Sequence, residues 1–463
     1  MNHLFADPAD YTRQPNADTA ALTHLPGDYG TPVLGAIPAL FRDFYGAIEK
    51  RHQKYGAVSK INLGFKPGVL VLGPDLFKQI LLDPERNFSN RMGYDHVTGE
   101  WFGGGIMFRD FDEHRIHRRV FQTAFKSDAM RGYVPMMNGL MQQHLAHWGE
   151  VADFRFVPHI QALLMAIGAR VFYGVEDLDG KAAQKMGEAF LKVINRGMRS
   201  LVKINCPPLS FYYGQQGKKY IVDYIGSRIT ERRAADGKDF MSYLVKEKKD
   251  DGEYLTDQEL IAHLSFLFFA AYDTTTTALS HLMMHLALDP DLQERLRKQS
   301  LALGKPLADF DDLDQLTEID HAFHESLRLY PSASIFMRRS LRACELGGKK
   351  IPANTILFLV PMFNHRMEQW WDNPQKFDPD RFAKGREEHK RHPFSYAPFG
   401  GGAHKCIGMN FAQLNAKLFM HQLLLKYRFR VPAGYTAKSQ TLPLPKPAKD
   451  LPLFFERINF ERI

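Results

Sequence analysis

Phe399-Gly400-Gly401-Gly402-Ala403-His404-Lys405-Cys406-Ile407-Gly408 is the stretch on which the reading of this 463-residue chain turns. Four glycines in ten residues hold a backbone close against a neighbour, in conformations a side chain would obstruct. From Met409 to Leu425 the apolar positions Phe411, Leu414, Leu418 and Leu425, with His421, recur every three or four residues and predict an amphipathic helix. Cys406 therefore sits in a glycine-rich loop just before a helix N-terminus, where the dipole and free N–H groups favour a thiolate. Such a cysteine is a nucleophile, a metal ligand or a small buried hydrophobe, and the last is the default for a lone cysteine.

The gross composition narrows the field. Hydrophobic content of 44% and charged content of 24% are those of a soluble globular protein. The length suggests two or three domains or one large one. Cys206, Cys344 and Cys406 are too scattered for a disulfide framework and suit a reducing compartment. The net charge of +8 admits an acidic protein partner or a membrane surface, but no basic tract of the nucleic-acid type occurs. Residues 1–24 carry Asp7, Asp10 and Asp18 with no apolar run, and read as a flexible segment, neither signal peptide nor anchor. The most apolar window noted, Leu264 to Tyr272, is too short to span a bilayer, so a cytoplasmic protein is expected.

Outward from the cysteine loop, the chain predicts a helix over 39–55, then a hairpin of 57–63 and 69–72 around Gly64-Phe65-Lys66-Pro67-Gly68. Asn90 to Asp110 reads as a loop in which Tyr94, Trp101 and Phe102 lie among Gly99, Gly103, Gly104 and Gly105, either a ligand-contacting lid or an ordinary surface loop. From Glu113 to Leu288 the chain is predominantly helical. His114-Arg115-Ile116-His117-Arg118-Arg119 is a solvated face or an anion-binding one. Thr256-Asp257-Gln258-Glu259 is a capping box with Leu255 and Leu260 as its staple. It opens a helix that nothing breaks before Asp289-Pro290, a rod of roughly 48 Å. Its middle, Ala270-Ala271-Tyr272-Asp273-Thr274-Thr275-Thr276-Thr277, is a poor helix former. Either threonines bond back to the preceding turn and kink it, or Asp273 and Thr274 handle protons in a pocket; the second reading is favoured. Glu325 and Arg328 share a face of a later helix and can pair.

Together these motifs resemble the cytochrome P450 family, from about Leu25 to Arg457. Phe399-x-x-Gly402-x-x-x-Cys406-x-Gly408 is similar to the haem-binding loop of that family. Glu325-x-x-Arg328, with Arg381 in Phe377-Asp378-Pro379-Asp380-Arg381-Phe382, resembles its Glu-Arg-Arg cluster, and Ala270-Ala271-x-Asp273-Thr274 its oxygen-activating stretch. The resemblance implies a mainly α fold with small β-sheets, residues 25–463 forming one catalytic domain whose long central helix lies over a haem b held by the cysteine loop. It implies that Cys406 ligates the haem iron, with Phe399 packed beside the sulfur and the loop backbone, Gly400 and Gly408 included, around it. His114, Arg118, Arg338 and His404 would hold the propionates. Asp273 and Thr274 would deliver protons, and Glu325, Arg328 and Arg381 would be structural. His404 departs from the more usual Arg, as in sterol demethylases; Ala271 and Asn415 replace the usual Gly and Glu. The pattern looks closest to bacterial members related to retinoid and sterol hydroxylases.

The activity so implied is hydroxylation by one atom of O2. Tyr94, Trp101, Phe102, Phe268, Ala271, Ser332, Ile335 and Phe336 are the expected pocket walls, mostly apolar, with Ser334 a further polar handle. They suit a sizeable lipophilic substrate such as a steroid, terpenoid, retinoid or fatty acid. Arg115, Arg118, Arg119, Lys405 and Lys417 are expected to dock a ferredoxin or flavodoxin served by its reductase, on a monomer. A peroxide-driven peroxygenase, a haem-thiolate isomerase and a haem sensor are the alternatives, and Asp273-Thr274 argues against them. A phosphate-binding loop is excluded, since Cys406 follows Lys405 where Ser or Thr is required.

Overall fold

The computed structural model describes residues 17, 19–64, 66–175, 181–200, 203–442 and 444–458. Most of the expected segment 1–24 lies outside them. Its described end is docked: Leu22 is fully buried in the cluster that holds Leu25, Val69 and Leu359.

The helix expected over 39–55 is two, α1 (Ile37–Arg42) and α2 (Phe44–Tyr55). Asp43 is extended between them and its carboxylate accepts the Gly46 N–H at 3.0 Å, so it caps α2 and ends α1. The hairpin follows as β1 (Val58–Asn62) and β2 (Pro67–Val71), in antiparallel register Ser59 to Leu70. Next come α3 (Pro74–Leu82), β3 (Phe88–Ser89) and α4 (Asn90–Tyr94).

The stretch 90–110 is mostly helical turns, not the loop its glycines suggest. Ser89 caps α4 through the Met92 N–H, a π turn and a single α turn carry the chain to Phe102, and Asp110 closes the segment. The Asp110 carboxylate accepts from Ser89 Oγ at 2.5 Å and from the Asn90 N–H at 2.8 Å.

The helical body is α5 (Phe111–Thr123), α6 (Ser127–Leu145), α7 (Phe156–Tyr173), α8 (Lys181–Lys192), α9 (Ser210–Ala234), α10 (Asp257–Leu288), α11 (Pro290–Ala302) and α12 (Thr317–Leu329). The capping box is formed as its sequence requires, Thr256 Oγ1 accepting from the Glu259 N–H at 3.2 Å and Glu259 returning to the Thr256 N–H at 2.8 Å. α10 runs 32 residues without a break. One apolar segment was not singled out in the sequence. Helix α7 is 18 residues, long and apolar enough to cross a membrane, but 61% of it is buried in the protein, where it packs on α6 and α10.

Strands β4 (Phe336–Ser340), β5 (Cys344–Leu346), β6 (Lys349–Ile351) and β7 (Ile356–Leu359) complete the β regions near the N-terminus. One sheet has the order β1-β2-β7-β4-β3, with β2 and β7 parallel and the rest antiparallel. Parallel pairing of strands so far apart in sequence joins the first hairpin to the chain after α12. The last helix, α13 (Met409–Lys426), directly follows the cysteine loop and is buried along most of its length. The result is a mainly α protein with small sheets.

Candidate active site

The cysteine loop is fixed by its backbone. The Gly400 N–H donates to Ala397 O at 3.1 Å, the Lys405 N–H to Gly402 O at 3.1 Å, and the Cys406 N–H to Phe399 O at 2.8 Å. Gly402 has φ +62°, and a Cβ there would lie 1.8 Å from the carbonyl oxygen of Leu81, so only glycine lets the loop lie against the end of α3. Phe399 packs against the main core, its ring 6.5 Å from that of His324.

Cys406 keeps accessible surface, yet burial is the largest influence on its thiol and pushes its pKa up. The Gly408 N–H, Arg118 and Lys405 pull the other way and do not win. At Cys406 desolvation outweighs the helix dipole, and a bound cation is what would deprotonate this sulfur.

The expected propionate residues come together beside it. His114 and Arg118 stand one turn apart on one face of α5, and Arg338 enters from β4. The imidazole of His114 stacks on that of His404, ring centroids 3.8 Å apart. Both imidazoles are held neutral. Burial, then Arg118 and Arg338, lowers His114 to about 4; burial, then His114 and the same arginines, lowers His404 too. Arg338 is buried, and burial is also the first cause lowering the pKa of Arg118 and Arg338. No carboxylate lies within 4 Å of either guanidinium among the described residues, where Asp110 approaches only His404, at 3.9 Å. Buried cations require anionic partners, so this donor set fits a dianionic group above Cys406, as haem with its two carboxylates is.

On α10, Thr274 Oγ1 donates to Ala270 O at 2.7 Å and Thr276 Oγ1 to Tyr272 O at 3.0 Å. Two of the four threonines thus bond back along the helix, while Thr277 Oγ1 has no partner among the described residues. Asp273 is buried too, and burial raises its pKa against the pull of Lys446, Arg199 and a hydrogen bond from Gln161. A carboxyl so placed holds a proton more readily than one in water.

The Glu-Arg-Arg residues are fully buried and in contact. Arg328 Nε donates to Glu325 Oε2 at 2.7 Å and Arg381 Nε to Glu325 Oε1 at 3.2 Å. A fourth member went unnoticed: Glu388, also fully buried, accepts from Arg381 Nη1 at 2.8 Å. In sequence it belongs to the run Arg386-Glu387-Glu388, which reads as solvated surface.

The expected pocket walls divide. Phe102 stacks on Phe269 with centroids 4.4 Å apart and meets Phe266 edge-on, and Phe108 also meets Phe266. Phe266 and Phe269 were missed, although they sit about 60° apart on α10. Phe268 is corrected to core. It lies about 200° around the helix from Phe266 and packs against Tyr173, Phe190 and Gly168. Phe336 belongs to the sheet core with Val69 and Phe77, and Ile335 packs on the neighbouring cluster. Trp101 is wedged against Gly197, Gly214 and Phe211, which docks its segment onto α9. Tyr94 accepts the Met337 N–H, Ser332 donates to Thr274 O, and Ser334 donates to Thr441 O. Ala271 is half-buried against the main core.

The expected docking cations also divide. Arg119 pairs with Asp250 at 2.7 Å, Arg115 lies 3.6 Å from the same carboxylate, and Lys417 lies 3.6 Å from Asp320. Lys405 is exposed and has no ion pair among the described residues.

Comparison with known proteins was made on this background. The sequence profile of the family described as Cytochrome P450 matches residues 25–450. Cytochrome P450 136 of Mycobacterium tuberculosis is 34% identical over 431 residues, covering 92% of this chain and 87% of that one. Taxane 10-beta-hydroxylase of Taxus cuspidata is 26% identical, covering 91% and 87%. The structure of a retinoic-acid-bound cyanobacterial P450 superposes with a TM-score of 0.83 at 24% identity, covering 94% of this chain and 99% of that one.

Proposed function

The chain belongs to the cytochrome P450 family and is a monooxygenase with haem as its cofactor; from that premise we propose that it hydroxylates a sizeable lipophilic molecule of the steroid, terpenoid, retinoid or fatty acid kind. The observation that carries the substrate class is the aromatic wall of Phe102, Phe266 and Phe269, half or fully buried and holding no charged group of its own. Apolar surface of that kind gains most from an apolar ligand.

When bound, haem supplies the activation of dioxygen, and haem b is the form proposed. Cys406 would hold its iron, with the Gly408 N–H directed at the sulfur. Arg118 and Arg338 would meet its carboxylates, and His114 and His404 would add hydrogen bonds to them. Thr274 would hold ordered water over the iron side of α10, and Asp273 would pass protons to it from the surface beside Lys446 and Arg199. Glu325, Arg328, Arg381 and Glu388 would keep the region beneath rigid.

Electrons would come from an acidic ferredoxin or flavodoxin with its reductase, meeting a monomeric enzyme in the cytoplasm. With Arg115, Arg119 and Lys417 already facing carboxylates, Lys405 is the cation left to steer such a partner. Reversing it in Lys405→Glu slows reduction and flattens its salt dependence.

A panel of steroids, terpenoids, retinoids and long-chain fatty acids, read by the haem absorbance shift and then by product analysis with a ferredoxin system, tests the reading. Micromolar shifts with at least one lipophilic class are expected. Shifts produced only by small polar molecules reject it.

A further inference from the structure

Ser332 follows helix α12 by three residues, and its hydroxyl has almost no exposure. Its proton is spent on the carbonyl oxygen of Thr274, 2.7 Å away on α10. One turn along the same helix, Ser326 Oγ donates to the carbonyl of Ala278 at 3.0 Å. Two serines of one chain segment thus grip successive turns of the central helix. The segment itself is held from behind: Ser334 donates to Thr441 O at 3.1 Å, and Arg366 Nη2 to Leu329 O at 2.6 Å. It cannot follow α10 if that helix shifts.

Thr274 is consequently bonded in two directions. Its hydroxyl reaches back one turn to Ala270 O, and its carbonyl reaches across to Ser332. A carbonyl has two lone pairs and can take the second donor beside its helical one. A helical threonine chooses between side-chain rotamers by whether its hydroxyl can reach the carbonyl of the preceding turn. Where the Thr274 hydroxyl points is therefore set by the local backbone, and the Ser332 bond is what ties that backbone to a rigid neighbour.

We propose that Ser332 is a positioning residue for proton delivery: by holding the carbonyl of Thr274 it fixes where the Thr274 hydroxyl stands over the cysteine loop. The inference rests on the reading of Thr274 given above. It also leaves Ser332, expected from the sequence to contact substrate, with only its oxygen lone pairs free for that contact, since its proton goes to Thr274 O. Misplacing a reacting group by about 1 Å can cost an enzyme about 100-fold in rate.

The test compares Ser332→Thr with Ser332→Val, which differ only in the hydroxyl, beside Ser326→Ala as a control brace and Thr274→Ala as a control of the reading. Two measurements on the haem-loaded protein need no identified substrate. They are the infrared stretch of carbon monoxide bound to the reduced protein, which senses a nearby hydroxyl, and the amide hydrogen exchange of residues 274–278. With a lipophilic ligand from the panel, the peroxide formed per electron consumed is added. Ser332→Val should broaden or shift the carbon monoxide band in the direction of Thr274→Ala, speed exchange at 274–278 about tenfold and raise peroxide several-fold. Ser332→Thr should restore all three, and Ser326→Ala should lower the melting temperature while leaving the band in place. If Thr274→Ala moves the band and Ser332→Val does not, the proposal fails and the reading of Thr274 stands. If neither moves it, Thr274 has no part in the chemistry and the proposal falls with it. Should Ser332→Val not fold, Ser332→Ala takes its place under the same criteria.

Discussion

The imidazoles of His114 and His404 stack at 3.8 Å with 30° between their planes, joining α5 to the cysteine loop. Burial and the two nearby guanidiniums keep both rings neutral. An imidazole at this position can donate a hydrogen bond whether or not it is charged. His404→Gln should therefore retain haem nearly as well as the native protein. His404→Leu, which loses a hydrogen bond worth about 1 kcal/mol, should release haem roughly fivefold faster. Transfer of haem to an apoglobin acceptor measures both. A Gln variant as leaky as the Leu variant would mean that charge mattered after all.

His285 is half-buried on α10 against Phe377, rings 4.1 Å apart and 10° from parallel, and its buried Nε2 has no hydrogen-bond partner among the described residues. Burial first, then His281 and the arginines, lowers its pKa to about 3. The unfolded chain takes up this proton near pH 6.5 and the folded chain does not, so stability is lost as pH falls below about 6.5. His285→Phe keeps the stack and removes the titration. Relative to the native protein it should gain about 2 kcal/mol between pH 7.5 and pH 5, read from urea midpoints. Parallel curves at the two pH values would contradict this.

Removing Arg381 should be among the most damaging changes to the fold. It leaves Glu325 and Glu388, both fully buried, short of a cation. The loss expected for a broken buried pair is about 3–5 kcal/mol. Arg381→Lys should recover little, because its guanidinium also serves the Asp372, Asn373 and Lys376 carbonyls. Thermal melts of the two variants should lie close together and well below the native protein.

Phe268 and Phe269 are neighbours in sequence with opposite duties. Phe269→Ala removes half of the stack with Phe102 and should weaken lipophilic ligands about five- to tenfold, for about 1 kcal/mol of aromatic contact. Phe268→Ala opens a hole among Tyr173, Phe190 and Gly168, costing about 3–5 kcal/mol of stability with ligand affinity nearly unchanged. Spectral titration and melting, run on the same pair, separate them.

What could be read from the sequence was local. The Thr256 capping box, the 32 residues of α10, the Glu325–Arg328 pair at i and i+3, and the glycines around Cys406 all follow from contacts within a few positions of the chain. Periodicity and capping chemistry act at that range, so they leave a signature in the order of residues. Asp43 and Ser89 also act locally, but polar caps inside turn-rich stretches are easily taken for loop residues, so neither the break that Asp43 makes in the helix expected over 39–55 nor the helix that Ser89 starts shows in the sequence.

The other half of the site was decided by approach in space. The stack of His114 on His404, the bond from Ser332 to Thr274, the closing of the buried cluster by Glu388 and the capture of Arg115 and Arg119 by Asp250 join residues that no spacing rule connects. The sequence by itself determined which groups the protein owns: a loop thiol, four donors for an anion, an acid and a hydroxyl on a long helix. Whether each donor is charged, and which of its bonds are already taken, depends on desolvation and on neighbours brought in by packing. Those quantities exist only once the chain has folded.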